Sequence, residues 1–176
     1  EQIRHWPIKR GRLIVVSHVN RPGLEKGTRY LPDEPPARRD LNRNFPKTDS
    51  DEPTRGELAQ ALWALVKKEK PAWLIDLHEG YDFHQLNSDS VGSSIIDTHD
   101  KAANKVVPMM LRVVNAGITE PKKKLVRLRY PVDGSLARAA HERLQASAMI
   151  LETTSKEQPL SKRIRQHRLM VHAFLK

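Results

Sequence analysis

The amino-acid sequence predicts an α/β fold, a three-layer sandwich built on a mostly parallel mixed sheet. Two observations carry that prediction. Short β-branched, apolar runs recur along the 176 residues, and stretches with the period of an amphipathic helix separate them. This alternation is the pattern of strands laid side by side with helices covering both faces of the sheet.

The elements follow in order. Arg12–Val19 (RLIVVSHV) is apolar and β-branched, is bounded by Gly11 and by Asn20-Arg21-Pro22-Gly23, and reads as a buried strand. Residues 22–53 are rich in Pro, Gly, Asp and Arg with little periodicity. Long loops of this kind in a compact domain usually carry function. Over Thr54–Lys68, Leu58, Ala61, Leu62 and Leu65 repeat at the spacing of a helix face, with Thr54 as its cap and Pro71 as its stop. Ala72–Leu77 (AWLIDL) is the next strand and runs straight into His78-Glu79-Gly80. Ser94–Asp97 predicts a short strand. Asp100–Ala116 predicts a helix that Pro108 should kink and Gly117 should end. Leu125–Arg129 reads as a strand, Leu136–Leu144 as a helix, Ala148–Leu151 as a buried strand ending at Glu152, and Leu160–Leu175 as a last amphipathic helix.

Composition narrows the chemistry. The absence of cysteine excludes a disulfide scaffold, an Fe–S cluster, a thiolate zinc site and a cysteine nucleophile. The longest apolar runs, Leu13–Val16 and Met149–Leu151, fall far short of the roughly 20 residues that cross a bilayer. Lys and Arg number 31 against 21 Asp and Glu, a formal charge of +10 that invites a nucleic-acid reading. With only 5% Phe, Trp and Tyr, however, little aromatic surface is available for base stacking. The basic clusters at 9–12 and 162–168 read as solvated helix faces or ends. No nucleic-acid partner and no membrane partner is expected.

Site-like polar residues stand at the ends of two apolar strands: Asp76-Leu77-His78-Glu79-Gly80 after WLI, and Glu152-Thr153-Thr154 after MIL. In open α/β sheets, ligands bind beyond the carboxyl ends of strands. A histidine there can ligate a metal or act as a base, and a glutamate can activate water, although either residue alone is also a common hydrogen-bonded strand cap. Within the long loop, Arg39-Asp40-Leu41-Asn42-Arg43-Asn44-Phe45 combines a planar guanidinium fork with an amide donor, which suits recognition of a carboxylate. Internal Arg–Asp pairing within the loop is the plainer alternative.

The order of Asp40–Phe45 (DLNRNF), Ser50–Thr54 (SDEPT), Asp76–Gly80 (DLHEG) and Leu151–Thr153 (LET) resembles that of the zinc carboxypeptidases. More closely, the chain is similar to the succinylglutamate desuccinylase/aspartoacylase branch of that superfamily, with Asn20–Gly23 resembling its NPxG turn and Thr28-Arg29-Tyr30 its TRY segment. The resemblance covers about residues 11 to 155. It implies a zinc-dependent hydrolase of an amide bond next to a carboxylate, either a carboxypeptidase or an N-acyl amino acid deacylase. The implied substrate is a small carboxylate-bearing molecule, and the implied cofactor is zinc.

On this resemblance His78 is the third zinc ligand, and Glu152 is the general base and acid that takes a proton from water and returns it to the leaving amine. Arg29 polarises the scissile carbonyl or helps to hold the carboxylate. Asn42 and Arg43 clamp the substrate carboxylate, and Tyr130 is similar in position to the carboxypeptidase tyrosine that closes over substrate. The family takes its other two ligands from an HxxE motif ahead of the TRY segment. No histidine of this chain has a glutamate three residues on. Residues 1–176 are therefore expected to form a single carboxypeptidase-like catalytic domain that lacks its first strand and metal loop. The rival expectation is an inactive, carboxylate-binding relative. A local site made of His78, Asp82 and His84 is permitted by spacing, but nothing in the sequence selects it.

Overall fold

The computed structural model describes residues 2–8 and 10–176. Four strands, β1 (Trp73–Gly80), β2 (Ser94–Asp97), β3 (Val126–Arg129) and β4 (Ser147–Thr154), form one sheet in the order β1-β4-β2-β3. β1 runs parallel to β4 and β2 parallel to β3, while β2 is antiparallel to β4. Helices α2 (Glu57–Glu69) and α4 (Leu136–Leu144) cover one face, and α3 (Lys101–Asn115) and α5 (Leu160–Leu175) cover the other. The three-layer, mostly parallel arrangement is the one the sequence predicts.

Strand alternation sends successive side chains to opposite faces and so makes two cores. Leu74, Ala148, Ile150 and Ile96 pack against Leu62 and Trp63 of α2 and the alanines of α4. Met149, Leu151 and Ile95 pack against Val107 and Met110 of α3 and Met170 of α5. α3 starts cleanly because the Asp100 carboxylate accepts from the N–H groups of Ala102 and Ala103, and it continues through Pro108 for 15 residues. At the end of β2, Asp97 is fully buried and receives two hydrogen bonds from Arg127 of the neighbouring strand, at 2.7 and 2.8 Å.

One predicted strand is not there. Residues 12–18 have no regular structure, and Ile14, Val15 and Val16 are 44, 37 and 48% exposed. β-branched residues favour a strand only where another strand accepts their backbone hydrogen bonds. Among the described residues the only neighbour of β1 in the sheet is β4, so no ladder there includes this segment. It is held instead by Val19, packed against the α2–α4 core, and by an ion pair from Arg12 to Glu69 at the end of α2.

Local boundaries also differ from expectation: β1 runs on through His78 to Gly80 and β4 through Glu152 to Thr154. α2 begins at Glu57, not Thr54, because Gly56 is the N-cap residue with a positive φ of 82°. Thr54 is buried just before it, and its carbonyl accepts from Gln60 Nε2. The segment after Asn20 forms a short helix, α1 (Arg21–Glu25), in which the Asn20 side chain accepts from Gly23 N–H.

Candidate active site

The α2–α4 face of the sheet changes character along its length. On β1 the row Leu74, Asp76, His78 lies beside the β4 row Ala148, Ile150, Glu152, residue against residue. Leu74, Ala148 and Ile150 belong to the core. His78 and Glu152 stand near the carboxyl ends of the two parallel strands, beyond the residues that pack in the α2–α4 core. The imidazole Nδ1 lies 3.9 Å from Glu152 Oε1, and the other ring nitrogen, Nε2, lies 2.8 Å from Asp76 Oδ2.

Glu152 is 4% exposed, and its Oε2 has no hydrogen-bond partner. Burial pushes its carboxyl up to about 7, with the nearby charges of His78 and Arg29 pulling only partly against that rise. His78 is also held above the ordinary imidazole value. Burial acts to lower it, but the hydrogen bond and charge of Asp76, with the charge of Glu152, outweigh burial and the opposing charge of Arg29. A carboxyl poised near neutrality can both accept and return a proton, which is what a general base and acid needs.

Arg29, Asn42 and Arg43 form a chain leading away from this pair. Arg29 Nη2 donates to Asp40 Oδ2 at 3.1 Å, and Asp40 Oδ1 accepts from Asn42 N–H at 3.1 Å. Arg29 thus joins its charge to His78 and Glu152 and its hydrogen bond to the DLNRNF segment. Asn42 is buried, and its Oδ1 accepts from Leu136 N–H at 2.9 Å, tying the loop to the start of α4. Arg43 Nη1 donates to the Asn42 carbonyl at 2.7 Å. Tyr130, at a φ of 52° and half exposed, has Arg138 over its ring at 5.0 Å, and its N–H donates to Asp97 O. Among the described residues neither a hydrogen bond nor an ion pair joins Tyr130 to His78 or Glu152.

Two features escaped the sequence reading. Asp76 was visible only as part of DLHEG, although the two-residue period of a strand puts it on the same face as His78. On the opposite face, Glu79 receives hydrogen bonds from Arg163 of α5, and Thr153 lies between Glu79 and His167. His167 is pushed down to about 4 by burial. Those partners lie more than 70 residues apart for Glu79, and nothing local in sequence announces them.

The succinylglutamate desuccinylase/aspartoacylase catalytic domain, as a family pattern, matches residues 1–176, the whole chain. The chain belongs to this family. No curated protein matches it in sequence. Among solved structures, a variant of the cell shape determinant protein Csd4 from Helicobacter pylori superposes with a TM-score of 0.74 at 21% identity, covering 98% of this chain and 45% of that one. Tripeptide-bound Csd4 gives a TM-score of 0.67 at 19% identity, over 89% of this chain and 41% of that one. The murein-tripeptide amidase MpaA from Escherichia coli O157 gives 0.52 at 18% identity, over 88% of this chain and 62% of that one. At these identities the likeness is one of fold. The chain spans less than half the length of the Csd4 structures it matches.

Membership of this family raises the question of zinc. A catalytic zinc takes three protein ligands and keeps one open position. Among the described residues no group of three or more His, Asp or Glu converges to hold a metal ion. The geometry explains why: Asp76 and Glu152 flank opposite nitrogens of the His78 ring, so the three do not face a common point. The described residues therefore offer one imidazole donor and do not by themselves fit a catalytic zinc.

Proposed function

We propose that this domain belongs to a hydrolase that cleaves an amide bond next to a carboxylate. The pairing of His78 with Glu152 supports this reading most strongly: a buried carboxyl held near neutrality, 3.9 Å from an imidazole, near the carboxyl ends of two parallel strands. In the proposed reaction Glu152 takes a proton from the attacking water and returns it to the leaving amine. The positive charge of Arg29 stabilises the oxyanion that develops on the carbonyl. Asn42 Nδ2 and the Arg43 guanidinium bind the substrate carboxylate, the Asn42 oxygen being engaged by Leu136.

Zinc belongs to this proposal for a protein in which two further ligands join His78, as the HxxE pair of the family would. Among candidate substrates, short peptides ending in a free carboxylate are favoured over N-acyl amino acids. The structural neighbours include a D,L-carboxypeptidase in an mDAP-bound form and a murein-tripeptide amidase. The test is hydrolysis by the whole natural protein of a tripeptide, of the same peptide with its C-terminal carboxylate amidated, and of N-acyl amino acids. The proposal expects cleavage of the free peptide and a large rise in KM on amidation. Binding of carboxylates without cleavage of any of these would replace it with the inactive-relative reading.

A further inference from the structure

The charge of this chain is unevenly placed. Helices α3 and α5, which share one face of the sheet, carry three and four of its 31 Lys and Arg and none of its 21 Asp and Glu. Among the described residues only Arg163 of these seven has an acidic partner, Glu79. A groove of about 650 Å³ runs between α5 and the segment at Trp6 and Pro7. Its floor is apolar, made by the part-buried side chains of Trp6, Leu169 and Leu175. Its wall is Arg165, Arg168 and His172, all exposed and spaced three and four residues apart, so they form one stripe about 10 Å long on α5. Arg168 stands over the Trp6 ring at 5.9 Å, and His172 meets the same ring edge-on at 5.5 Å, which makes the stripe and the floor one continuous surface. Each guanidinium presents a planar fork that matches a carboxylate. A flat lipid surface would need apolar side chains standing proud of the helix, whereas these are recessed below the cations. We propose that this groove docks an amphipathic helix of a partner protein, with Asp or Glu at helical spacing against Arg165 and Arg168 and an aliphatic anchor on Trp6 and Leu169. The groove lies on the α3–α5 side of the sheet and His78 and Glu152 lie on the other, so the proposal does not rest on the proposed function.

The experiment is titration of the whole natural protein with a synthetic helical peptide that carries Glu residues one turn apart and Leu residues beside them, followed by fluorescence anisotropy of a label on the peptide. The wild-type protein should bind it, more weakly as salt is raised. The double variant Arg165→Glu, Arg168→Glu should bind at least about tenfold more weakly. Both side chains are exposed, so its circular dichroism should match the wild type. Replacing the Glu residues of the peptide by Lys should restore binding to the double variant and abolish it for the wild type. Replacing its Leu residues by Ser should weaken binding about tenfold, because the apolar floor then has no occupant. Absence of binding, or equal binding by the double variant, would overturn the proposal. Equal binding of the Ser peptide would reduce the groove to a diffuse basic surface and overturn it as well. Vesicles of anionic phospholipid are the second probe: retention of the wild type on them, lost in the double variant, with no binding of the peptide would replace the partner helix by a membrane.

Discussion

His78 and Glu152 occupy the same rung of the parallel ladder between β1 and β4, and their side chains face each other with Nδ1 and Oε1 3.9 Å apart. Each raises the other's affinity for charge while burial opposes it. The electrostatic state of the whole site therefore depends on two residues that are 74 positions apart in the sequence.

That burial gives a first prediction about stability. The Glu152 carboxyl titrates at about 7 in the folded chain against 4.5 when unperturbed. Between those values the unfolded chain has released its proton and the folded chain still holds it, so stability falls as pH rises. His78, also raised, acts in the same direction, its contribution being lost as pH rises through its folded value. The loss from Glu152 is on the order of 3 kcal/mol. Glu152→Gln should flatten the profile between about pH 4.5 and 7 and be the more stable protein above it. Urea unfolding midpoints measured across that range check this, and parallel profiles for the two proteins would contradict it.

Asn42 gives a second prediction, because the proposal gives its two amide atoms different tasks. Its oxygen accepts from Leu136 N–H, and on the proposed function its nitrogen binds the substrate carboxylate. Asn42→Ala should lose about 1–3 kcal/mol by orphaning a part-buried N–H and should also raise KM. Asn42→Asp keeps the acceptor, so it should hold most of the stability while still raising KM. Thermal unfolding and steady-state kinetics on the same preparations separate the two effects.

A third prediction concerns the far end of the sheet. Asp97 is fully buried, and Arg127 supplies both of the side-chain hydrogen bonds to its carboxylate. Arg127→Leu leaves that charge unpaired and should cost about 3–5 kcal/mol. The double variant Asp97→Asn, Arg127→Leu should recover part of the loss. Denaturant unfolding of the three proteins measures it, and a loss under about 0.5 kcal/mol in the single variant would show the pair to be dispensable.

A fourth prediction follows from the loop after β1. Gly80 and Gly92 pass each other so closely that a methyl group on either would overlap backbone, that of Gly92 in one case and that of Asp82 in the other. Gly92→Ala should therefore disrupt the hydrogen bond from His84 N–H to Gly92 O and loosen the 80–92 segment. Amide exchange of His84 reports this directly, and unchanged protection would contradict it.

Much of this architecture was legible in the sequence because the signals are local. Apolar runs that end in charged residues marked β1 and β4, and helical spacing marked α4 and α5 to the residue. Arg12–Val19 shows where local signals stop: its composition is that of a strand, but strand formation needs a partner, and composition does not report one. The site divides in the same way. His78 and Glu152 could be picked out as polar interruptions of apolar strands. Their facing geometry, the grip of Asp76 on Nε2 and the link from Arg29 through Asp40 to Asn42 depend on register and on tertiary contacts that no short segment contains. The Glu79–Arg163 and Thr153–His167 contacts on the opposite face were hidden for the same reason.

The central claim is that Glu152 moves the proton in amide hydrolysis. The most direct measurement is the rate at which the whole natural protein and its Glu152→Gln variant release the C-terminal residue from a tripeptide with a free carboxylate, with substrate binding measured alongside. The account predicts a rate at least about 100-fold lower in the variant, with binding retained within a few-fold. A variant that cleaves the tripeptide at the wild-type rate would contradict it.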